Sequence, residues 1–146
     1  MPLQTLKTVS AQESAELSVA GFKTVTVTDS HFNDNVAGVG GAIYRDYLSI
    51  VNINGSDFTA NDANKGGAIY SLGELDIIGT EFTDNTADLG GAIYVSDKSE
   101  PGNLYVDKCT FTDNEALNCG GAIAVDATNG NGADYNIFPQ PISSRF

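Results

Sequence analysis

Residues 75–94 read LDIIGTEFTDNTADLGGAIY, and close relatives of this stretch occur four times in the chain. Each copy contains the tetrapeptide Gly-Gly-Ala-Ile, which begins at Gly40, Gly66, Gly90 and Gly120, in steps of 26, 24 and 30 residues. Ahead of each tetrapeptide stands the motif Phe-x-x-Asn. Its four pairs are Phe32/Asn35, Phe58/Asn61, Phe82/Asn85 and Phe111/Asn114. A period of this length is the sequence signature of a solenoid, in which each repeat packs only on its neighbours.

Within each copy, apolar and polar residues alternate with a period of two, which indicates half-buried β-strands and not helices. Leu75 and Ile77 form one alternation, Thr80 and Phe82 a second, and the Ala-Ile-Tyr segment a third. The first two are separated by a residue compatible with a bend. Across the copies these residues are Asp29, Gly55, Gly79 and Lys108. The sequence therefore predicts an all-β fold, a right-handed parallel β-helix (solenoid) of about five coils with three short strands per coil.

A leucine-rich repeat has a similar period and is the structural alternative. It requires a Leu-x-x-Leu-x-Leu run and a convex helical or turn segment. The second half of each unit here is instead Gly-Gly followed by a short strand. The parallel β-helix is therefore the favoured fold.

The repeated residues all have structural explanations. A stack of phenylalanines fills the interior, where burial contributes about 1.5–3 kcal/mol per ring. Asparagine suits a turn, since it tolerates left-handed backbone and can form an amide ladder between coils. The glycine pair permits positive φ and close approach of neighbouring coils. The predicted structural core comprises Phe32, Phe58, Phe82, Phe111, Asn35, Asn61, Asn85, Asn114, Ile43, Ile69, Ile93 and Ile123.

The outward positions around each phenylalanine carry acidic residues that could bind a metal ion. Like charges one coil apart are unfavourable unless they are screened or bridged, and a calcium ion can bridge carboxylates. The weak calcium candidates are Asp57, Glu81, Asp84 and Asp113. Their columns are incomplete and the calcium-binding nonapeptide is absent, so a solvated acidic face is the commoner outcome. No catalytic or cofactor-binding residue is predicted, and calcium is the only cofactor that the pattern leaves open.

Single reactive residues have simple interpretations. His31, the only histidine, is expected to be an exposed residue without a paired carboxylate. Cys109 occupies a small inward position and is expected to be buried. A disulfide between Cys109 and Cys119 is geometrically open, because the two residues flank one corner of a coil. Arg45, beside Asp46, is the least implausible catalytic residue for a polysaccharide-cleaving enzyme.

Composition excludes several classes of partner. The chain has 146 residues, with 19 acidic against 7 basic, and a net charge of −12. This charge repels phosphate backbones and anionic membrane surfaces, so neither nucleic-acid binding nor membrane association is expected. No apolar run approaches the ~20 residues of a membrane helix, and residues 1–7 lack the apolar core of a signal peptide.

The pattern divides the chain into three parts. Residues 1–20 are predicted to form an N-terminal cap, residues 21–138 the β-helix repeats, and residues 139–146 a C-terminal tail or the truncated edge of a longer solenoid. An open β-helix end exposes unpaired strand edges, which a cap must block. End-to-end association or a larger surrounding chain is therefore part of the interpretation.

Phe-x-x-Asn followed by Gly-Gly-Ala-Ile resembles the repeats of the chlamydial polymorphic outer membrane proteins and of similar adhesin-like β-helix proteins. The four copies cover roughly 105 of the 146 residues. The resemblance implies a surface-displayed passenger domain that acts in adhesion, and hence an extracellular or cell-surface location. The export signal and the C-terminal translocator barrel of that family are not seen in this sequence.

Three functions fit these observations. The first is a non-catalytic module that binds a glycan or a host or cell-surface protein through an outer strand face. The second is a polysaccharide lyase or hydrolase, which needs a basic residue or paired carboxylates in a groove. The scattered basic residues and the acidic surface oppose it. The third is a purely structural rod or spacer, which shares every sequence feature of the first.

Overall fold

The computed structural model describes residues 3–6, 10–11, 17–19, 21, 24–46, 48–96, 104–126, 135–137 and 142–143. All of the regular secondary structure in these residues is β-strand. The strands are, in chain order, β1 (Leu3–Leu6), β2 (Ser10–Ala11), β3 (Leu17–Val19), β4 (Thr24–Thr28), β5 (His31–Asn33), β6 (Ile43–Arg45), β7 (Ile50–Asn54), β8 (Asp57–Thr59), β9 (Asp62–Lys65), β10 (Ile69–Ser71), β11 (Leu75–Ile78), β12 (Glu81–Thr83), β13 (Thr86–Leu89), β14 (Ile93–Ser96), β15 (Leu104–Asp107), β16 (Thr110–Thr112), β17 (Glu115–Cys119), β18 (Ile123–Asp126), β19 (Tyr135–Ile137) and β20 (Ile142–Ser143).

These strands form four parallel sheets, numbered here in the order in which a coil passes through them. Sheet 1 has the order β1-β4-β7-β11-β15-β19, sheet 2 β2-β5-β8-β12-β16-β20, sheet 3 β9-β13-β17 and sheet 4 β3-β6-β10-β14-β18. Neighbours in each sheet come from successive coils, so the chain is a parallel β-solenoid, as predicted. The described residues form about four complete turns, over residues 24–45, 50–71, 75–96 and 104–126, where about five coils were expected.

The strand register places equivalent residues of successive repeats side by side. Phe82 pairs with Phe58 on one side and with Phe111 on the other. All four phenylalanines of the motif, including Phe32, are at most 1% exposed. Their rings stack with centroids 4.8, 5.0 and 4.9 Å apart and with interplanar angles of 3–8°. Because the stacking distance matches the spacing between strands, one continuous aromatic column runs through the core.

The asparagines form a second buried column. The side-chain amide of each donates to the side-chain oxygen of the next, at 2.8 Å for Asn35–Asn61, 2.9 Å for Asn61–Asn85 and 2.8 Å for Asn85–Asn114. The amides of Asn61, Asn85 and Asn114 also donate to the carbonyl of the phenylalanine in the preceding coil, each at 2.9 Å. Asparagine was expected to take the left-handed conformation itself. The residue before it does so instead, with φ between 53° and 58° at Asp34, Ala60, Asp84 and Asp113.

The two glycines of each Gly-Gly pair have different roles. Gly90 has φ of 64°, in the left-handed region that favours glycine. At Gly91 a Cβ atom would lie 2.1 Å from the carbonyl oxygen of Gly121 in the next coil, so a side chain there is sterically excluded. The pair therefore turns the chain and then lets adjacent coils approach closely.

Sheet 3 is the part of the coil that the sequence pattern missed. Three strands per coil were predicted, whereas the described coils from residue 50 to 126 contain four. In β9 and β13 only the alanine is buried, at Ala63 and Ala87, and the flanking residues are polar or half-exposed. With one small apolar residue per strand, no alternation is visible in the sequence.

Strands also occur in the segments predicted as cap and tail. β1 pairs in parallel with β4, and β3 pairs with β6, so both continue the sheets of the first complete turn. At the other end β20 pairs with β16. The division into cap, repeats and tail stays a prediction.

Candidate binding surfaces

The outer face of sheet 2 presents two rows of side chains that run along the solenoid. One row contains His31, Asp57, Glu81 and Thr110, and the other contains Asn33, Thr59, Thr83 and Thr112. The first row changes its chemistry from coil to coil, whereas three of four positions in the second are threonine. Because strand neighbours lie about 4.8 Å apart, each row is a closely spaced ladder of polar groups.

The only histidine has a carboxylate partner, contrary to expectation. His31 Nδ1 lies 2.5 Å from Asp57 Oδ2 in the next coil, and both side chains are at least partly exposed. The pair therefore joins adjacent coils within one outer row as a cross-strand contact.

The calcium candidates are not assembled into a cage. Asp57 and Glu81 are neighbours across the register of sheet 2, while Asp84 and Asp113 lie at the left-handed turns that follow it. In the described part of the chain, no group of three or more His, Cys, Asp or Glu side chains converges on one point. Calcium binding by these residues stays a prediction.

Three tyrosines form a stack on the outside of sheet 4, and sequence reasoning did not single them out. Tyr44, Tyr70 and Tyr94 stack with centroid distances of 5.6 and 5.5 Å. The hydroxyl of Tyr94 donates to Asp126 Oδ2 at 3.0 Å, and Lys65 Nζ lies 5.2 Å from the centroid of its ring. The signal that could have found this column is the tyrosine that follows Gly-Gly-Ala-Ile in three of the four copies.

The environment of Tyr70 and Tyr94 disfavours ionisation. Burial, the neighbouring Tyr44 and the carboxylate of Asp126 together raise the pKa of Tyr70. Burial and the hydrogen bond to Asp126 raise the pKa of Tyr94 further above its ordinary value. Tyr70 and Tyr94 therefore stay neutral at physiological pH, and both ring faces of Tyr70 are covered by its neighbours in the stack.

Sheet 3 carries a groove of about 440 Å³ on its outer side. One wall follows the register row Val36, Asp62, Thr86 and Glu115. The opposite wall contains Asn64, Asp88 and Leu117, and alanines lie between the two walls. Thr86 Oγ1 donates to Asp62 Oδ1 at 2.7 Å, which fixes this carboxylate on its wall. None of the described residues that line the groove is basic.

Arg45 points into the solenoid and not toward solvent. It is 1% exposed, and its guanidinium packs against Gly73, where a Cβ atom would collide with Nη1. Its neighbour Asp46 accepts hydrogen bonds from Ser49 Oγ and from the amide of Leu48, at 2.8 and 3.0 Å. Burial opposes ionisation of Asp46, but these bonds, one from Gly21 and the charge of Arg45 hold its pKa below the usual value. Arg45 is thus out of reach of a polysaccharide.

The two cysteines are free thiols. Cys109 is buried in the small inward slot, where its Sγ lies 3.3 Å from the carbonyl oxygen of Asp107. Burial raises the pKa of this thiol. Cys119 is exposed at the end of β17, so the disulfide that the sequence left open is not formed.

Together these features define a parallel β-solenoid whose coils are joined by stacked phenylalanines and an asparagine ladder. Residues 79–96 and 108–126 match the family model of the Chlamydia polymorphic membrane protein repeat, so these two segments are similar to repeats of that type. No curated protein and no solved structure matches the chain. In the described residues, no helix has the length and hydropathy needed to cross a membrane.

Proposed function

We propose that this chain is a non-catalytic, surface-exposed module that binds a glycan or a cell-surface protein through the outer faces of its strands. The observation that carries the proposal is the contrast between interior and exterior. The residues that define the repeat, such as Phe82, Asn85 and Gly91, hold the coils together inside. The outer row that begins at His31 varies in charge and size from coil to coil. A varied polar face over a rigid frame is suited to recognition.

The family match supports an adhesin-like role. Polymorphic membrane protein repeats suggest a β-helix displayed at the cell surface. The proposal accordingly places the module outside the cell or on its surface. The net charge of −12 opposes nucleic acids and anionic membranes as partners. The module needs no cofactor in this proposal, and calcium is tested as an optional ligand of the acidic residues on sheet 2 and at the turns that follow it.

A structural rod is the second candidate, and the unbroken ladders favour it. The phenylalanine stack and the asparagine ladder run without interruption from Phe32 to Asn114. Such continuity makes a stiff spacer between other domains, with no ligand required. A polysaccharide lyase or hydrolase is opposed by the burial of Arg45, the basic residue best placed for it in the sequence.

One experiment separates these functions. Labelled protein is incubated with immobilised polysaccharides, matrix proteins and cells, with and without calcium, and both bound label and released sugar ends are measured in the same wells. Binding without product supports the adhesion module. Product formation would overturn it in favour of an enzyme, and absence of both signals would favour the rod.

A further inference from the structure

The groove on sheet 3 differs from the other outer surfaces in its apolar content. The structure exposes four large aliphatic side chains among the described residues, and the two most exposed are Leu117 at 77% and Val36 at 60%. Both line this groove, at its opposite ends along the solenoid axis. Exposed aliphatic residues that gather in one concavity mark a contact surface.

The charge of the groove selects among partners. Asp62, Asp88 and Glu115 line it, and no described lining residue is basic. The lysine of β9, Lys65, directs its ammonium group to the ring of Tyr94 instead. An anionic glycan or a second copy of this acidic chain would be repelled, whereas a cationic segment would be attracted. No lining residue in the described part of the chain is aromatic, so these residues offer no ring face on which a neutral sugar would stack.

The spacing of the carboxylates fits an extended peptide. Asp62 and Glu115 lie on one wall, two coils apart, which corresponds to about 9.6 Å at the usual strand spacing. In a polyproline II helix, residues i and i+3 lie on the same side and about 9.3 Å apart. Two basic side chains at i and i+3 can therefore meet the two carboxylates, while an aliphatic residue between or beyond them contacts Leu117.

We propose that this groove binds an extended basic peptide segment of a partner protein, with lysine or arginine at positions i and i+3 paired to Asp62 and Glu115. The inference rests on the proposed function, because it names the chemistry of the partner that the adhesion module recognises. The hydrogen bond from Thr86 holds the Asp62 carboxylate in place before the partner arrives, which lowers the entropic cost of the contact.

The test uses a fluorescein-labelled peptide of sequence KPVKPVK, in which lysines recur at i and i+3, and measures its fluorescence anisotropy. The groove variant is D62N/E115Q, and the matched control is D57N/E81Q, which makes the same charge change on sheet 2. We expect the groove variant to weaken binding about tenfold and the control less than about twofold. The variant L117S should weaken binding without changing its salt dependence. Urea unfolding verifies that all three variants keep the stability of the parent.

Several outcomes would overturn the inference. Equal weakening by the two double variants would mean that the peptide binds by net charge alone. Equal binding of the shuffled peptide KKKPVPV would show that lysines at positions i and i+3 are not required. Competition by a neutral linear oligosaccharide would assign the groove to a glycan. If D62N/E115Q still adheres to cells as the parent does, the groove inference fails while the adhesion function stands. If the parent protein binds the peptide at the groove but adheres to no cell or immobilised partner, the groove inference stands and the adhesion function fails.

Discussion

The side chain of Asn85 joins three coils. Its Oδ1 accepts hydrogen bonds from the side-chain amide and the backbone N–H of Asn61, at 2.9 and 3.0 Å. Its own amide donates to the carbonyl of Phe58 at 2.9 Å and to Asn114 Oδ1 at 2.8 Å. All of these groups are buried, so each depends on Asn85 for a hydrogen bond that water does not supply.

Replacing Asn85 by alanine should therefore be strongly destabilising. The substitution removes four hydrogen bonds at once, and each buried group left unsatisfied costs about 1–3 kcal/mol. We expect Asn85→Ala to lower the free energy of unfolding by at least about 3 kcal/mol, measured by urea denaturation. Asn64→Ala, the same change at an exposed position of β9, serves as the control and should cost less than about 0.5 kcal/mol. Similar losses for the two variants would contradict the role of the ladder.

The phenylalanine column predicts a contrast within one turn. Phe82 is fully buried between two stacked rings, and Phe→Ala changes in such cores cost about 3–5 kcal/mol. Asp84, two residues later, is exposed with φ of 55°. The equivalent residue in the preceding coil is Ala60, also with φ of 55°, so alanine is tolerated there. Phe82→Ala should lower the melting temperature much more than Asp84→Ala, and equal shifts in a thermal melt would refute the assignment of inward and outward columns.

The close packing of the coils around Gly91, the second glycine of its pair, supports a prediction that rests on steric exclusion. A Cβ atom at Gly91 would lie 2.1 Å from the Gly121 carbonyl oxygen, and backbone atoms cannot move aside cheaply. At Gly38 a Cβ atom would meet nothing within 4 Å. Gly91→Ala should therefore cost several kcal/mol, at the upper end of single substitutions at about 4 kcal/mol, or prevent folding. Gly38→Ala should be close to neutral. The yield of folded protein and its urea midpoint measure both, and a stable Gly91→Ala variant would disprove the close approach of the coils.

The two thiols should react at very different rates. Cys109 is buried and its pKa is raised by burial, so it holds little of the reactive thiolate, whereas Cys119 is exposed. Titration of the folded protein with a thiol reagent should modify one cysteine rapidly, and the second only after denaturant is added. The variant Cys119→Ser should abolish the fast phase. A fast phase that persists in this variant would mean that the Cys109 slot opens readily.

The parts of the fold that the sequence predicts are those in which residues recur with a regular spacing. The interior columns were predictable because Phe82 and its equivalents recur at fixed distances from Asn85 and Gly90 and so specify the strand register. The sequence also indicated that Cys109 takes the small inward slot. Sheet 3 was not predicted, because a single buried alanine per strand gives no alternation of apolar and polar residues.

The candidate surfaces were harder to predict, since they depend on neighbours about 24–30 residues away in the chain. The contact of His31 with Asp57 and the burial of Arg45 follow from the stacking of coils, and neither residue has a repeated equivalent that would reveal it. The groove arises because Val36, Asp62 and Glu115 fall into one row only after the register is set. Local sequence patterns therefore predict the stacked core of the solenoid better than its outer surface.

The tyrosine stack predicts a loss of stability in alkali. Burial first, and then Asp126, raise the pKa of Tyr94 above the ordinary value of 10.0, so the folded state holds the phenolic proton more tightly than the unfolded state does. This contribution is fully present below the unfolded pKa and is lost as the pH rises toward the folded pKa. Urea unfolding at about pH 9 and about pH 11 should therefore show lower stability at the higher pH.

The carboxylate of Asp126 gives this last prediction its control. Asp126→Asn removes the charge that faces the Tyr94 hydroxyl, so it should lower the Tyr94 pKa and reduce the stability lost between the two pH values. Asp113→Asn makes the same change at an exposed turn and should leave the loss unchanged. Tyrosinate absorbance, followed during the same titration, should appear at lower pH in Asp126→Asn than in the parent. Identical titration curves for the two variants would show that Asp126 does not control the ionisation of Tyr94.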